Sequence, residues 1–144
     1  MQSIMTTLRE KLNYKDQQRI AILNSDEIML KLLMDEFKGI CIDTSIDPRY
    51  PYEFIIVFTR FYCEVEGLAS GALHNLITNG TLWFAFPKRR SSKYSSDLDK
   101  DHGWEYITDK GFDKVRIISL NEDWSAMRFK NVRFIRSPHH RFSH

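Results

Sequence analysis

Two apolar runs separated by an amphipathic segment constrain the fold of this chain more than any other feature. Phe54–Phe58 is rich in β-branched and aromatic residues, and Thr81–Phe86 is an uncharged run that follows the turn pair Asn79-Gly80. Such runs favour strands that are buried on both faces of a sheet. Between them, the apolar residues of Tyr62–Thr78 recur at helical spacing. The segment therefore predicts a β-α-β unit with parallel strands.

Other segments extend this unit. Strands are predicted at Ile20–Leu23, Ile40–Ile42, Val115–Leu120 and Trp124–Phe129, and helices within Met1–Asn13, from Asp26 to Gly39, and at Trp104–Lys110. Strands that alternate with helices at this spacing indicate a mostly parallel sheet with helices on both faces. The last two strands are joined only by Asn121–Asp123, which is too short for a crossover helix, so the last strand is expected to run antiparallel.

These elements predict one three-layer Rossmann-like α/β domain over residues 1–136, with a six-stranded sheet. The predicted order, in sequence numbering, is 2-1-3-4-6-5 with strand 6 antiparallel. A chain of 144 residues has the usual size of a single domain. Residues 137–144 are expected to form a disordered basic tail.

Composition and charge argue against several classes of function. The net charge of +2 is too small to indicate nucleic-acid binding, although five Lys/Arg and no acid lie between Arg128 and His144. Cys41 and Cys63 lack zinc-type spacing and are expected to be reduced, as in a cytoplasmic protein. The first residues lack the apolar segment of a signal peptide, and no apolar run has the length of a membrane span.

The carboxyl ends of the parallel strands are the expected place for a ligand, because open α/β sheets bind ligands at that edge. The residues that follow these ends form the candidate site: Asn24, Ser25, Asp43, Thr59, Arg60, Pro87, Lys88, Arg89 and Ser92. Arg60 and Lys88 would make the edge cationic, so a small anion is the expected ligand. Two alternatives stay open, a solvated charged loop and an empty crevice in which Lys88 pairs with Asp43.

Two other groups of residues have weaker patterns. One loop holds several metal-ligating side chains, but it lacks the glycine and the closing glutamate of a calcium loop, so no metal is expected: Asp97, Asp99, Asp101 and His102. His74 shares the polar face of the crossover helix with Gly67 and Gly71, where small residues would suit a homodimer contact. A solvent-facing histidine is the alternative. No Ser/His/Asp or Cys/His set predicts catalysis.

From about Arg19 to Lys130 the chain resembles a bacterial family of small uncharacterised proteins, domain of unknown function 3052. The resemblance is carried by Phe54–Phe58, Leu82–Lys88 with its Trp-x-x-x-Pro-Lys pattern, Ser92, Asp97, Gly111-Phe112, Val115-Arg116, and Asp123–Phe129 with its Trp-Ser-x-x-Arg-Phe pattern. That family has no established activity, so the resemblance implies a fold and not a function.

The order of elements is also similar to the class I methyltransferase fold, which ends strand–helix–strand–helix–strand–strand with the last strand antiparallel. This similarity places Asp43 where an acid could hold a ribose. A cofactor-binding protein of this kind should have a glycine-rich turn after its first strand, so that the backbone can approach the ligand. Leu23–Glu27 occupies that turn and contains no glycine.

Two classes of function remain. The first is a non-enzymatic α/β module that binds a partner protein or a small anion at the carboxyl edge of the sheet. The second is a diverged methyltransferase-like enzyme that binds S-adenosylmethionine or a nucleotide. The missing glycine turn favours the first class, and no cofactor is expected.

Overall fold

The computed structural model describes residues 7–135, and the predicted basic tail lies outside this range. The helices are α1 (Leu8–Lys11), α2 (Glu27–Glu36), α3 (Tyr62–Asn75) and α4 (Glu105–Asp109), and a 3-10 helix spans Val132–Phe134. The strands are β1 (Arg19–Leu23), β2 (Cys41–Asp43), β3 (Tyr52–Phe58), β4 (Leu76–Pro87), β5 (Phe112–Ser119) and β6 (Trp124–Asn131).

The sheet has six strands in the order β2-β1-β3-β4-β6-β5, which confirms the predicted topology. β6 runs antiparallel to both neighbours, β4 and β5, while the pairs β1/β2, β1/β3 and β3/β4 are parallel. The short link before β6 is the cause, because strands joined by only the four residues 120–123 can pair only antiparallel. The order of the strands reverses between β1 and β3, so the chain has a topological switch point there.

The sheet separates two apolar layers, as the predicted three-layer arrangement requires. Along β3, Ile55 and Val57 face a core formed with the buried side of α3, whereas Phe54, Ile56 and Phe58 face a core formed with α2 and Leu12. The Trp83 indole N–H donates to the Leu12 carbonyl at 2.8 Å, which attaches the chain after α1 to the centre of the sheet. Both faces of the central strands are therefore buried.

The crossover helix is shorter than the pattern predicted. It ends at Asn75, and the Asn79-Gly80 pair lies inside β4 instead of opening it. Asn79 has a φ of 61°, and the partners jump from Tyr52↔Leu76 to Phe54↔Thr81, so β4 holds extra residues in an irregular segment. The apolar residues of that segment mimic helical spacing, which explains the error.

One predicted surface, on α3, has no contact partner among the described residues. Gly67, Gly71 and His74 are exposed on α3, and a Cβ added at either glycine would meet open space. The proposed homodimer contact at this face stays a prediction. None of the helices within residues 7–135 is long and apolar enough to cross a membrane.

Candidate functional site

The segment that follows β4, Lys88–Asp99, forms the candidate site and is called here the 88–99 loop. Its start is fixed to the beginning of β6 by Asp123, which is buried. The Lys88 N–H donates to the Asp123 carbonyl at 2.7 Å, and the Ser91 hydroxyl donates to Asp123 Oδ1 at 2.8 Å. Because Pro87 ends β4 at the carboxyl edge, these bonds hold the loop above that edge.

The second half of the loop is fixed to the connection between β3 and α3. The Ser96 hydroxyl donates to the Arg60 carbonyl at 2.5 Å. Asp97 Oδ1 accepts the Tyr62 N–H at 2.6 Å, so it satisfies a free donor in the first turn of α3. The Trp104 indole donates to the Asp99 carbonyl at 2.7 Å. The loop thus crosses the sheet edge and is fixed at both ends.

Tyr94 links the middle of the 88–99 loop to Asp26, at the start of α2, and to Trp124, at the start of β6. Its hydroxyl donates to Asp26 Oδ2, and its ring centroid lies 5.0 Å from that of Trp124. The hydrogen bond to Asp26, followed by burial, raises the pKa of Tyr94, while the nearby Trp124 N–H acts in the opposite direction. That N–H does not form a hydrogen bond of acceptable geometry with any described residue, although it is buried. The Arg60 guanidinium lies 5.7 Å from the Tyr94 ring centroid.

Asp26 has a second role at the same point. It caps α2, because its Oδ1 accepts the Met29 N–H at 2.8 Å. A helix N-terminus at this position is where doubly wound proteins commonly hold a phosphate. Here the chain's own carboxylate occupies that end of α2 and Tyr94 covers it. An anionic ligand would therefore meet a negative charge at α2.

A cavity of about 650 Å³ lies between the 88–99 loop and Arg60. Its charged lining consists of four cations, Arg60, Lys88, Arg89 and Lys93, and two acids, Asp97 and Asp99; serine side chains line much of the remainder. The lining is therefore net cationic, and its residues are Arg60, the last residue of β4 and members of the 88–99 loop.

The acids of the cavity are already engaged. Asp97 is bonded to α3, and Asp99 pairs with Arg89 at 2.8 Å and with the His102 ring at 2.8 Å. The backbone N–H of Asp101, then His102, lowers the pKa of Asp99. Within residues 7–135, by contrast, no carboxylate lies within ion-pair distance of Arg60 or Lys88. Two cations are thus left for an incoming anion.

Lys88 and Arg60 are positioned by neutral partners. The Lys88 ammonium donates to the Ser119 hydroxyl at 2.6 Å, and the Arg60 Nε donates weakly to the Ser95 carbonyl at 3.4 Å. Neutral partners orient a cation without neutralising it. Both groups can therefore turn to a charged acceptor, with which hydrogen bonds are stronger.

The structure brings together only part of the predicted site. Five of the predicted residues line the cavity: Arg60, Pro87, Lys88, Arg89 and Ser92. Thr59 does not, because it is buried and its hydroxyl donates to the Ala85 carbonyl at 3.0 Å. Asn24 and Ser25 also lie outside the cavity lining. Asn24 has a φ of 62° and its amide donates to the Phe58 carbonyl at 2.9 Å, so the turn keeps a left-handed residue without using glycine.

The predicted pairing of Lys88 with Asp43 is wrong. Asp43 is on the outermost strand and is aligned with Ala21, which is aligned with Ile55. Along the strand direction it therefore lies level with the middle of β3 and not at the carboxyl ends of the strands. Leu82 of β4 is paired with Ile55, so it lies at the same height along the strands. Lys88 is six residues further along the chain, which is about 20 Å at the usual rise of a strand. β2 is too short to carry Asp43 to the carboxyl edge.

Asp43 belongs to a separate polar cluster that supports the connection from β2 to β3. The Arg19 guanidinium pairs with Asp43 at 2.7 Å and with Asp47 at 3.2 Å, and it lies 4.2 Å from the Tyr50 ring centroid. The Tyr52 hydroxyl donates to the same Asp43 carboxylate. This cluster closes the loop before β3, which is a structural role.

The residues that close the site over α2 and β6 were not predicted. Asp26 had the pattern of a helix cap, but nothing in the sequence signalled that Tyr94, 68 residues later, would donate to it. Asp123 was read as part of a short link, and its burial beneath the 88–99 loop could not be read from the sequence.

No family model and no curated protein matches the sequence, so membership of the resembled family stays a prediction. Solved structures with the same fold do match. One is a SAM dependent methyltransferase from Aquifex aeolicus, with a TM-score of 0.56 and 9% identity over 85% of this chain and 86% of that one. Another is the B. subtilis tRNA methyltransferase TrmK, with a TM-score of 0.54 and 9% identity over 89% of this chain and 67% of that one.

A third structure is a protein in the NADB-Rossmann superfamily from Streptococcus agalactiae. Its TM-score is 0.51, at 13% identity over 89% of this chain and 69% of that one. At these identities the likeness shows the fold alone. The chain therefore has a methyltransferase-like Rossmann fold.

Proposed function

We propose that this chain is a non-enzymatic binding module that takes a small anion into the cavity beneath the 88–99 loop. The single observation that carries the proposal is the state of the two lining cations, Arg60 and Lys88. Both line a cavity of about 650 Å³. Among the described residues both side chains are held by neutral oxygens, and neither the guanidinium nor the ammonium group pairs with a carboxylate, although the Arg60 backbone N–H donates to Glu64 Oε1 at 2.7 Å.

The character of the lining supports a small anion over a protein segment. Ligand pockets are concave and bind with a few convergent polar groups. Here guanidinium and ammonium groups converge with the hydroxyl-bearing residues Ser92 and Ser95. Phosphate or carboxylate oxygens are the acceptors that such donors prefer. A compact anion with two or three charges would match the available donors.

The methyltransferase-like fold favours a second candidate, an enzyme that binds S-adenosylmethionine. Two contacts argue against it. Tyr94 lies over the start of α2, next to the topological switch point. Its hydroxyl donates a hydrogen bond to Asp26, and its ring packs against Trp124. Asn24 uses its side chain to join β1 to β3, where a glycine turn would leave room for a ligand. Binding of S-adenosylmethionine in the usual place would require the 88–99 loop to move.

Thermal unfolding with inorganic phosphate, pyrophosphate, citrate and S-adenosylmethionine tests the proposal. A ligand at about 100 times its Kd stabilises the folded state by about 2.7 kcal/mol. We expect saturable stabilisation by at least one of the three anions and none by S-adenosylmethionine. The Lys88→Glu variant should fold normally, because exposed loop residues contribute little to stability, and its anion affinity should fall at least about ten-fold.

Lys31→Glu is the matched control, since it makes the same change of charge at an exposed position on α2. It should keep wild-type affinity. Equal affinities of the wild type and the Lys88→Glu variant would refute the site. Saturable stabilisation by S-adenosylmethionine would instead support the enzyme.

A further inference from the structure

Two arginines face each other across β5 and β6. Arg116 and Arg128 are direct partners in the antiparallel pairing, next to an irregularity between Lys114 and Arg116. Residues that lie directly opposite share one face of a sheet, with Cβ atoms about 4.5–5.5 Å apart. Like charges at that distance repel, so the pair is a local cost to the fold.

The surroundings of the pair increase this cost. On its other side Arg128 is aligned with Trp83, which is fully buried. One step along the same face, Ala126 is buried and is aligned with Ile118. Burial, followed by the charge of Arg116, lowers the pKa of Arg128. The Arg128 guanidinium therefore lies at the edge of an apolar surface and is incompletely solvated, whereas Arg116 is exposed.

Among the described residues, no ion pair between an acid and either arginine is observed. Asp101 lines the same groove as Arg116, but it pairs with Lys100 and Lys114 at 3.2 and 3.3 Å. Residues 1–6 and 136–144 contain no Asp or Glu. Within the described part of the chain, both guanidinium groups are therefore left without a carboxylate partner.

We propose that Arg116 and Arg128 form a second anion site, which takes one dianionic phosphate group between the two guanidiniums. Guanidinium forks match phosphate oxygens bidentately. Two adjacent cations balance one dianion, whereas a polyanion would need a longer row of positive charge. The site is separate from the loop cavity, because Arg128 is level with Trp83, five residues before Lys88 on the chain, or about 16 Å at strand spacing.

Titration calorimetry and thermal unfolding with pyrophosphate test this site, with Lys88→Glu as the background so that the affinity of the loop cavity is lowered at least about ten-fold. Arg116→Gln and Arg128→Gln should each weaken pyrophosphate binding at least about ten-fold. Arg133→Gln is the control, since it removes one exposed positive charge outside the pair. It should leave the affinity unchanged. Because neither Arg116 nor Arg128 lines the loop cavity, a loss of affinity in their variants is distinguishable from failure of the proposed function.

A second readout uses no ligand. In a buffer without multivalent anions, Arg116→Gln should raise the midpoint of thermal unfolding, because it removes the repulsion, and pyrophosphate should then add little. Arg116 is exposed, so its variant should fold and keeps the site testable even if Arg128→Gln does not fold. Three results would overturn the site: wild-type affinity in Arg116→Gln, an equal effect from sodium chloride at matched ionic strength, or tight binding of a single-stranded oligonucleotide that pyrophosphate does not displace.

Discussion

The hydrogen bond between Tyr94 and Asp26 should be a main stabilising contact of the 88–99 loop. It joins a phenol to a carboxylate in a half-buried place. Hydrogen bonds to charged groups contribute about 1.5–3 kcal/mol. Because Tyr94 is partly solvated, we expect Tyr94→Phe to lower the free energy of unfolding by about 1.5 kcal/mol, at the low end of that range.

Two further substitutions separate the contributions to stability. Tyr94→Ala tests the aromatic ring in addition to the hydroxyl, and Asp26→Asn tests the charge of Asp26 without removing the cap of α2. Tyr94→Ala also removes the ring that lies 5.0 Å from Trp124. Aromatic pairs add about 0.5–1.5 kcal/mol beyond burial, so this variant should lose about 3 kcal/mol in total. Asp26→Asn keeps a good N-cap for α2, because Asn and Asp cap equally well. It should lose only about 1 kcal/mol, from the weaker bond to Tyr94.

Urea unfolding of the wild type, Tyr94→Phe, Asp26→Asn and the double variant gives the coupling energy between the two side chains directly. We expect a coupling energy of about 1 kcal/mol. The pH dependence gives an independent check. The pKa of Tyr94 is raised, so its contribution is complete below the unfolded pKa of about 10 and is lost as pH rises through the folded value. The pKa values of Tyr14 and Tyr52 are also raised. The difference in unfolding free energy between the wild type and Tyr94→Phe, measured as a function of pH, therefore isolates the contribution of Tyr94.

The reasoning would be refuted if Tyr94→Phe were as stable as the wild type within about 0.3 kcal/mol and the double variant were additive. That outcome would mean that the 88–99 loop does not close on α2 in solution. The crevice at the switch point would then be open, and the argument against S-adenosylmethionine would fail with it.

Three further outcomes are expected. Micromolar S-adenosylmethionine should give no saturable heat in titration calorimetry with the wild-type chain; a saturable isotherm would show that the turn at Asn24 admits the cofactor. Asp99→Asn should flatten the acid limb of the stability curve, because the lowered pKa of Asp99 gives stability that is present above the unfolded pKa of about 4 and is lost as pH falls through the folded value; an unchanged limb would contradict this. Thr59→Val should cost about 1 kcal/mol in urea unfolding and leave anion affinity unchanged; weaker anion binding would return Thr59 to the site.

The misplacement of Asp43 shows where the sequence is insufficient. A residue at the end of a strand lies at the edge of the sheet only if that strand is long enough and in register with its neighbours. β2 is aligned with the first part of β1, so Asp43 lies level with the middle of β1 and does not reach the carboxyl ends of the strands. The register follows from packing against β1, and no pattern within Ile40–Ile42 carries that information.

Tyr94 illustrates the same limit in a loop. Its partner is 68 residues away, and the bond forms only because the loop bends back across β1 and β3. Loop paths depend on many weak anchors, such as those made by Ser91 and Ser96, each of which requires the folded sheet to exist first. The pairing of Arg116 with Arg128 has the same origin, because a strand irregularity sets which residues face each other.

The sequence alone determined the strand order, the layers and the cationic segment after β4, because hydrophobic periodicity, a short link and a terminal proline are local properties. The tertiary structure alone decided which charges meet. It placed Arg60 and Lys88 in the lining of one cavity, paired Asp43 with Arg19, and joined Tyr94 to Asp26 by a hydrogen bond. The physical reason is that electrostatic and hydrogen-bond partners are chosen by distances of a few ångströms, which register and loop path fix and which periodicity does not record.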